Sequence, residues 1–175
     1  MSVVISGSSS GTITLDTPAV SGTNTATLPA ATGTVMVSGN MPAFYAYAGA
    51  NTTLTNSAWT KVLFNTKIFD TNNNFASSTF TPTVAGYYQL NTVVNLTVPS
   101  VSAACAIYKN GSVYSYLQMG PSGGAYVYGG SVSTVVYANG STDYFEVYFF
   151  QNSSASSYSN GQQTTWFNGC LVRTA

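Results

Sequence analysis

The chain has 175 residues, 45% hydrophobic and 14% aromatic, with 13 Tyr and 9 Phe, but only 5% charged, four basic and four acidic, and no His. Charged residues usually make up roughly a quarter of a globular domain. So few charges, summing to zero, exclude the basic footprint of a nucleic-acid binder or a polybasic membrane anchor, and the aromatic content excludes disorder.

The first residues, Met1-Ser-Val-Val-Ile-Ser-Gly, lack the basic region and long apolar run of a secretory signal. No apolar stretch approaches the roughly 20 residues that span a membrane. From Gly11 to Val37 there is no aromatic residue. Ile13 and Leu15 alternate with Thr, as do Ala26 and Leu28, and then Val35 and Val37. Pro and Gly separate these short strands. A segment this thin cannot bury its own apolar face. Residues 1–40 are therefore expected to be an extended β-rich anchor, docked on copies of itself or on another protein through Ile13, Leu15, Leu28 and Val35.

Residues 41–175 read as a single β domain with little or no α-helix. Expected strands run from Ala43 to Tyr47 and from Trp59 to Asn65, the latter with Thr60, Val62 and Phe64 on one face. Asp70-Thr-Asn-Asn-Asn is a turn. Strands follow over Phe75–Thr81 and Tyr87–Val98, around a Pro82/Gly86 loop. Pro82 presets its backbone angle, and Gly86 is expected to supply a conformation that strains other residues. Tyr88 and Leu90 then share one face, Tyr87 and Gln89 the other. Ser102–Lys109 and Val113–Met119 flank Asn110-Gly111, a strong hairpin signal. Gly120-Pro-Ser-Gly-Gly turns the chain into Ala125–Tyr137, followed by Tyr144–Gln151. A soft loop, 152–163, precedes a last strand, Thr164–Val172. Cys105 and Cys170 fall inside strands and are expected to be buried, reduced thiols.

The anchors Ala43-Phe44, Phe64, Phe69-Asp70, Phe75 and Phe80-Thr-Pro-Thr-Val-Ala-Gly-Tyr-Tyr resemble the globular-head domain of complement, the C-one-q family. So do Ile107-Tyr-Lys-Asn-Gly and the closing Trp166-Phe-Asn-Gly-Cys-Leu-Val. The resemblance covers residues 43 to 175. It implies a jelly-roll β-sandwich of about ten strands, similar to tumour necrosis factor, in a tight homotrimer. No collagen stalk precedes it, since Gly does not recur every third residue. The acids are Asp16, Asp70, Asp143 and Glu146, too few for a carboxylate-rich calcium site. Asp143 and Glu146 are expected to be solubilising charges. No cofactor is expected.

The leader is similar to leader segments of phage tail and other virion proteins. Together these resemblances imply a bacteriophage virion protein, assembled in the host cytoplasm. It would be a trimeric fibre or spike head anchored to other virion proteins through residues 1–40, or else a capsid decoration. A free complement-like binding module is the third reading. Without His, no Ser-His-Asp or Cys-His arrangement exists within the chain, and enzymatic activity is not expected. The tyrosines are expected at the trimer axis, with Tyr87, Tyr114, Tyr116, Tyr126, Tyr128, Tyr148 and Phe167 as interface residues. The loops carrying Ser122, Gly123, Ser156, Tyr158 and Asn160 are expected to touch a host-surface glycan or protein.

Overall fold

The computed structural model describes residues 3–16, 18–20, 22–25, 30, 35–37, 39, 41–100, 102–120, 127–152, 157–158 and 160–175. The chain forms two compact units, Met1–Gly33 and Thr34–Ala175. The expected boundary after residue 40 thus moves before Thr34. The reason is Met36, which packs against the core of the second unit. Val35 lies exposed in that second unit, outside any strand.

The first unit contains an antiparallel pair, β1 (Val3–Ser6) and β2 (Thr12–Leu15). Its register sets Val3 against Leu15 and Ile5 against Ile13. All eight residues of the two strands are exposed. Strand β1 went unread in the sequence because Val3-Val4-Ile5 does not alternate with polar residues. The Ala26/Leu28 alternation lies outside the described residues.

The second unit is a two-layer sandwich, and no α-helix occurs among the described residues. Its strands are β3 (Ala43–Tyr47), β4 (Thr52–Thr53), β5 (Ala58–Lys61), β6 (Thr66–Asp70), β7 (Phe75–Ala76), β8 (Thr79–Phe80) and β9 (Gly86–Ser100). They continue with β10 (Ala103–Lys109), β11 (Ser112–Met119), β12 (Val127–Ala138), β13 (Phe145–Gln151), β14 (Ser157–Tyr158) and β15 (Trp166–Thr174). One sheet has the order β11-β10-β13-β8-β7. The other runs β4-β14-β9-β15-β3-β6, with β12 paired to the opposite side of β9. Strand β5 lies along β13, where the Val62 N–H donates to the Val147 carbonyl at 2.9 Å. Consecutive strands repeatedly switch sheets, as a jelly roll requires.

Alternation decides what each strand buries. Strand β13 is strictly periodic: Phe145, Val147, Phe149 and Gln151 face the core, and Glu146, Tyr148 and Phe150 face out. In β9, Tyr88, Leu90, Val94 and Leu96 are buried. The centre of the core is aromatic. The Phe44 ring lies 4.9 Å from Phe75, 4.3 Å from Phe80 and 5.0 Å from Phe167, so it touches side chains from both sheets. Cys105 is fully buried, and burial pushes its thiol up to about 12. Cys170, expected inside, is exposed. It follows Gly169 and precedes Leu171, which take the inward phase of β15.

The hairpin at Asn110-Gly111 forms as read, with φ of 53° and 77°, the left-handed pair of a two-residue turn. Asn139-Gly140 instead carries the chain from β12 across to β13 in the other sheet. The Asn139 side-chain oxygen accepts from the N–H groups of Ser141, Thr142 and Asp143. Asp143 is a tie rather than a solubilising charge. It is buried and accepts from Asn110 Nδ2 at 2.7 Å and from the Asn139 N–H at 2.9 Å. It also pairs with Lys109 at 2.9 Å. Burial alone would push its carboxyl up. The hydrogen bonds from Asn110, Lys109 and Asn139 and the Lys109 charge outweigh that and hold it below its usual range. Glu146 is likewise paired, to Lys61 at 2.7 Å.

Gly86 is required for a different reason from the expected one. Its backbone is not left-handed. A Cβ there would strike the Arg173 carbonyl oxygen and lie 2.7 Å from Leu171 Cδ1. Gly86→Val should therefore force β9 from β15 and lower the melting temperature by about 5 °C or more; an unchanged melting curve would refute the close-packing account. Because the folded Asp143 carboxyl titrates low, the native state binds fewer protons, and its stabilisation holds above the usual carboxylate range and fades as pH falls through it. The stability gap between the native chain and Asp143→Asn should accordingly be widest at neutral pH and shrink below about pH 4. Denaturant melts at both pH values would read this directly.

Candidate interaction surfaces

The sandwich leaves two outward sheet faces. On the β9/β12/β15 side, register builds rows across the strands. Tyr137, Tyr87 and Arg173 form one row, Val135, Gln89 and Cys170 the next, then Ser133, Asn91, Asn168 and Tyr45, and finally Ser131, Val93, Trp166 and Tyr47. Directly paired residues point to the same side of a sheet. Both ends of this face are aromatic. Tyr87 and Tyr137 lie 5.6 Å apart, with the Arg173 guanidinium 5.6 Å over Tyr87. At the far end Tyr45 stacks on Trp166 at 5.7 Å and meets Phe69 at 6.3 Å.

Between the ends sits a closed amide network. Gln89 Nε2 donates to Asn91 Oδ1 at 3.0 Å and to Ser133 Oγ at 2.9 Å. Ser133 Oγ donates to Asn91 Oδ1 at 2.8 Å, and Asn91 Nδ2 to Asn168 Oδ1 at 3.0 Å. The network holds these side chains in place and fixes their donor pattern. Arg173 is the charged side chain in these rows. Burial pushes the Tyr45 hydroxyl up, and it donates to the Gln162 carbonyl at 2.8 Å.

The residues expected at one trimer axis do not share one surface. Tyr87 is on the face just described. Tyr116 and Tyr148 both pair with Ala106, so they lie on the outward face of the other sheet. Tyr114 points its hydroxyl at the Val135 carbonyl, 3.4 Å away, across the β11/β12 edge. Tyr128 is exposed beside the register shift at the start of β12. Tyr126 lies outside the described residues. Phe167 is no interface residue: it is fully buried against Phe44 and Phe64. Tyr45, Trp166 and the amide network were missed, although the parity of β9 already set Tyr87 and Gln89 outward.

The loop residues divide similarly. Tyr158, expected to contact a partner, is fully buried in β14. Its hydroxyl accepts from the Leu63 N–H at 3.0 Å and donates to the Leu63 carbonyl at 3.4 Å, which pins β14 to the sandwich. Asn160 is exposed, with its N–H donating to Asn51 Oδ1 at 2.6 Å. Ser122, Gly123 and Ser156 lie outside the described residues. Of the proposed anchor side chains, Ile13 and Leu15 are exposed on β2, and Leu28 lies outside the described residues. Among the described residues, no group of three or more His, Cys, Asp or Glu could hold a metal ion.

No family model matches the chain, and no curated protein matches it by sequence. Solved structures do match by fold. The globular domain of zebrafish complement 1qA is 19% identical with a TM-score of 0.58, covering 77% of this chain and 99% of its own. Murine APRIL is 12% identical with a TM-score of 0.60, over 75% of this chain and 99% of its own. Eiger TNF from S. frugiperda is 7% identical with a TM-score of 0.52, over 78% of this chain and 95% of its own. At these identities the likeness is one of fold, and it establishes the second unit as a jelly roll of the complement-head and tumour-necrosis-factor type.

Proposed function

We propose that the chain is a self-associating head protein of a bacteriophage particle, of the fibre or spike kind. In this reading three copies clasp through the β9/β12/β15 face, and the N-terminal unit docks on another virion protein. The observation that carries it is that face: nearly uncharged, aromatic at both ends, and centred on side-chain amides already held in place. Exposed surfaces of this character are typical of contacts between proteins. The count of three follows the sequence resemblance, which implies a homotrimer. The leader supports docking independently. A two-stranded ribbon is marginal alone in water, and Val3, Val4, Ile5, Ile13 and Leu15 are all more than half exposed.

Light scattering on the purified chain should return three times the 18.3 kDa subunit mass. Asn91→Arg, which sets a charge into the amide centre, should convert it to a folded monomer; a variant that stays trimeric would move the interface elsewhere. Deleting residues 1–33 should leave a soluble trimer that no longer co-purifies with particles. Recovery of that truncated head on purified virions would refute the docking role of the N-terminal unit.

A further inference from the structure

The opposite outward face, on β5, β10 and β13, carries a continuous aromatic platform. Trp59 is 37% exposed. It meets Tyr108 edge-on at 6.0 Å and Phe150 at 5.9 Å, and Tyr108 lies 4.1 Å from Tyr148. The floor beneath is made of alanines. Ala104 and Ala106 point away from the core, yet they are only 4% and 0% exposed. Their cross-strand partners are Phe150 and Tyr148 on one side and Gln118 and Tyr116 on the other. Those side chains must cover the alanines. Tyr108 packs against Tyr148 and Trp59 stands across Tyr108 and Phe150, at 65° and 54°, so that of these four rings Trp59 is the exposed one.

One carboxylate borders the platform. Glu146 Oε1 accepts from Lys61 Nζ at 2.7 Å and from Thr79 Oγ1 at 3.0 Å. Its Oε2 accepts from the Tyr148 hydroxyl at 3.3 Å, a long bond that leaves acceptor capacity. The three Lys61 protons go to Glu146, Thr79 and the Ser77 carbonyl. Lys61 therefore steadies the carboxylate and has no donor left for a ligand. The chemistry on offer is the exposed Trp59 indole, set in an aromatic cluster beside a held acceptor, with Lys61 already spent.

We infer that this platform is a binding site for a neutral oligosaccharide. A hexose presents an apolar C–H face that stacks on an aromatic ring and edge hydroxyls that donate to a carboxylate. An anionic ligand such as a phosphate, a sulfated glycan or nucleic acid meets Glu146 with like charge and finds no free cation. The inference names a partner class for the outward head and rests on that reading for its setting only. The site lies within one subunit, on the face opposite the proposed clasp. A trimer that binds no glycan would sink this inference and leave the virion reading standing.

The test uses the full chain with cellohexaose, maltohexaose and the N-acetylglucosamine hexamer as probes and a heparin hexasaccharide as the anionic control. Saturation-transfer NMR should show binding of at least one neutral hexamer at about 1 mM or tighter. The indole N–H of Trp59, and not that of Trp166, should shift on titration, a readout that needs no variant. Trp59→Ala should weaken binding about tenfold or more while the chain still unfolds in one cooperative transition, and Trp59→Phe, which keeps a ring in place, should recover part of the affinity. The inference is overturned by any of four results: none of the three neutral probes binds; the shifts map to Trp166; the heparin hexasaccharide binds as tightly; or Trp59→Ala changes the oligomeric state, which would make this face a contact between copies.

Discussion

The packing of Phe44 between the two sheets is the constraint on which the rest depends. Its ring contacts Phe75 and Phe80 from one layer and Phe167 from the other. Gly169 makes room for it, since a Cβ there would sit 3.0 Å from Phe44 Cε1. Aromatic rings this close hold the layers at one spacing and one relative position. Once that is set, the two-residue period of each strand leaves no choice about which side chains face out. The two outward faces, and the chemistry each displays, are consequences of the aromatic centre.

The few charges are spent inside this arrangement. Lys61 pairs with Glu146, Lys67 with Asp70, and Lys109 with Asp143. Asp70 also accepts from the N–H groups of Asn74 and Phe75 and so shapes the turn before β7. Asp143 joins the β10/β11 hairpin to the crossover that leads into β13. Asp70 and Asp143 thus each fix a connection where the chain changes direction, and Glu146, inside β13, ties that strand to Lys61 and Thr79. Apart from Arg173 over Tyr87, what the two outward faces display is mainly polarity without charge: amides, hydroxyls and aromatic rings. That explains how a chain with so little charge presents two chemically distinct sides.

Much of the sandwich was legible because its strands alternate cleanly. Strands β3, β9, β10, β11, β13 and β15 fall within a residue or two of the read spans. Strand β6 escaped because its Ile68 and Phe69 are both exposed, so the usual apolar signal points the wrong way. The 158 position was read as loop, although Tyr158 is a buried anchor, because its partner Leu63 lies 95 residues away in sequence. Parity within β15 would have placed Phe167 inside and Cys170 outside; treating cysteine as a small hydrophobe overrode it. The division of tyrosines between the faces was beyond local reading. It depends on which strands pair, and Ala106 between Tyr116 and Tyr148 is a three-strand fact.

The two cysteines, one sealed and one open, give the molecule a built-in chemical handle. The thiolate is the reactive form, and Cys105, buried and held protonated, is closed to reagents in the folded state. Cys170 stands on the β9/β12/β15 face, in the row beside Gln89. A maleimide dye added to native protein is thereby confined to one address, and that address is on the very surface proposed to be covered on assembly. The rate at which Cys170 takes the label becomes a clock for how often subunits part.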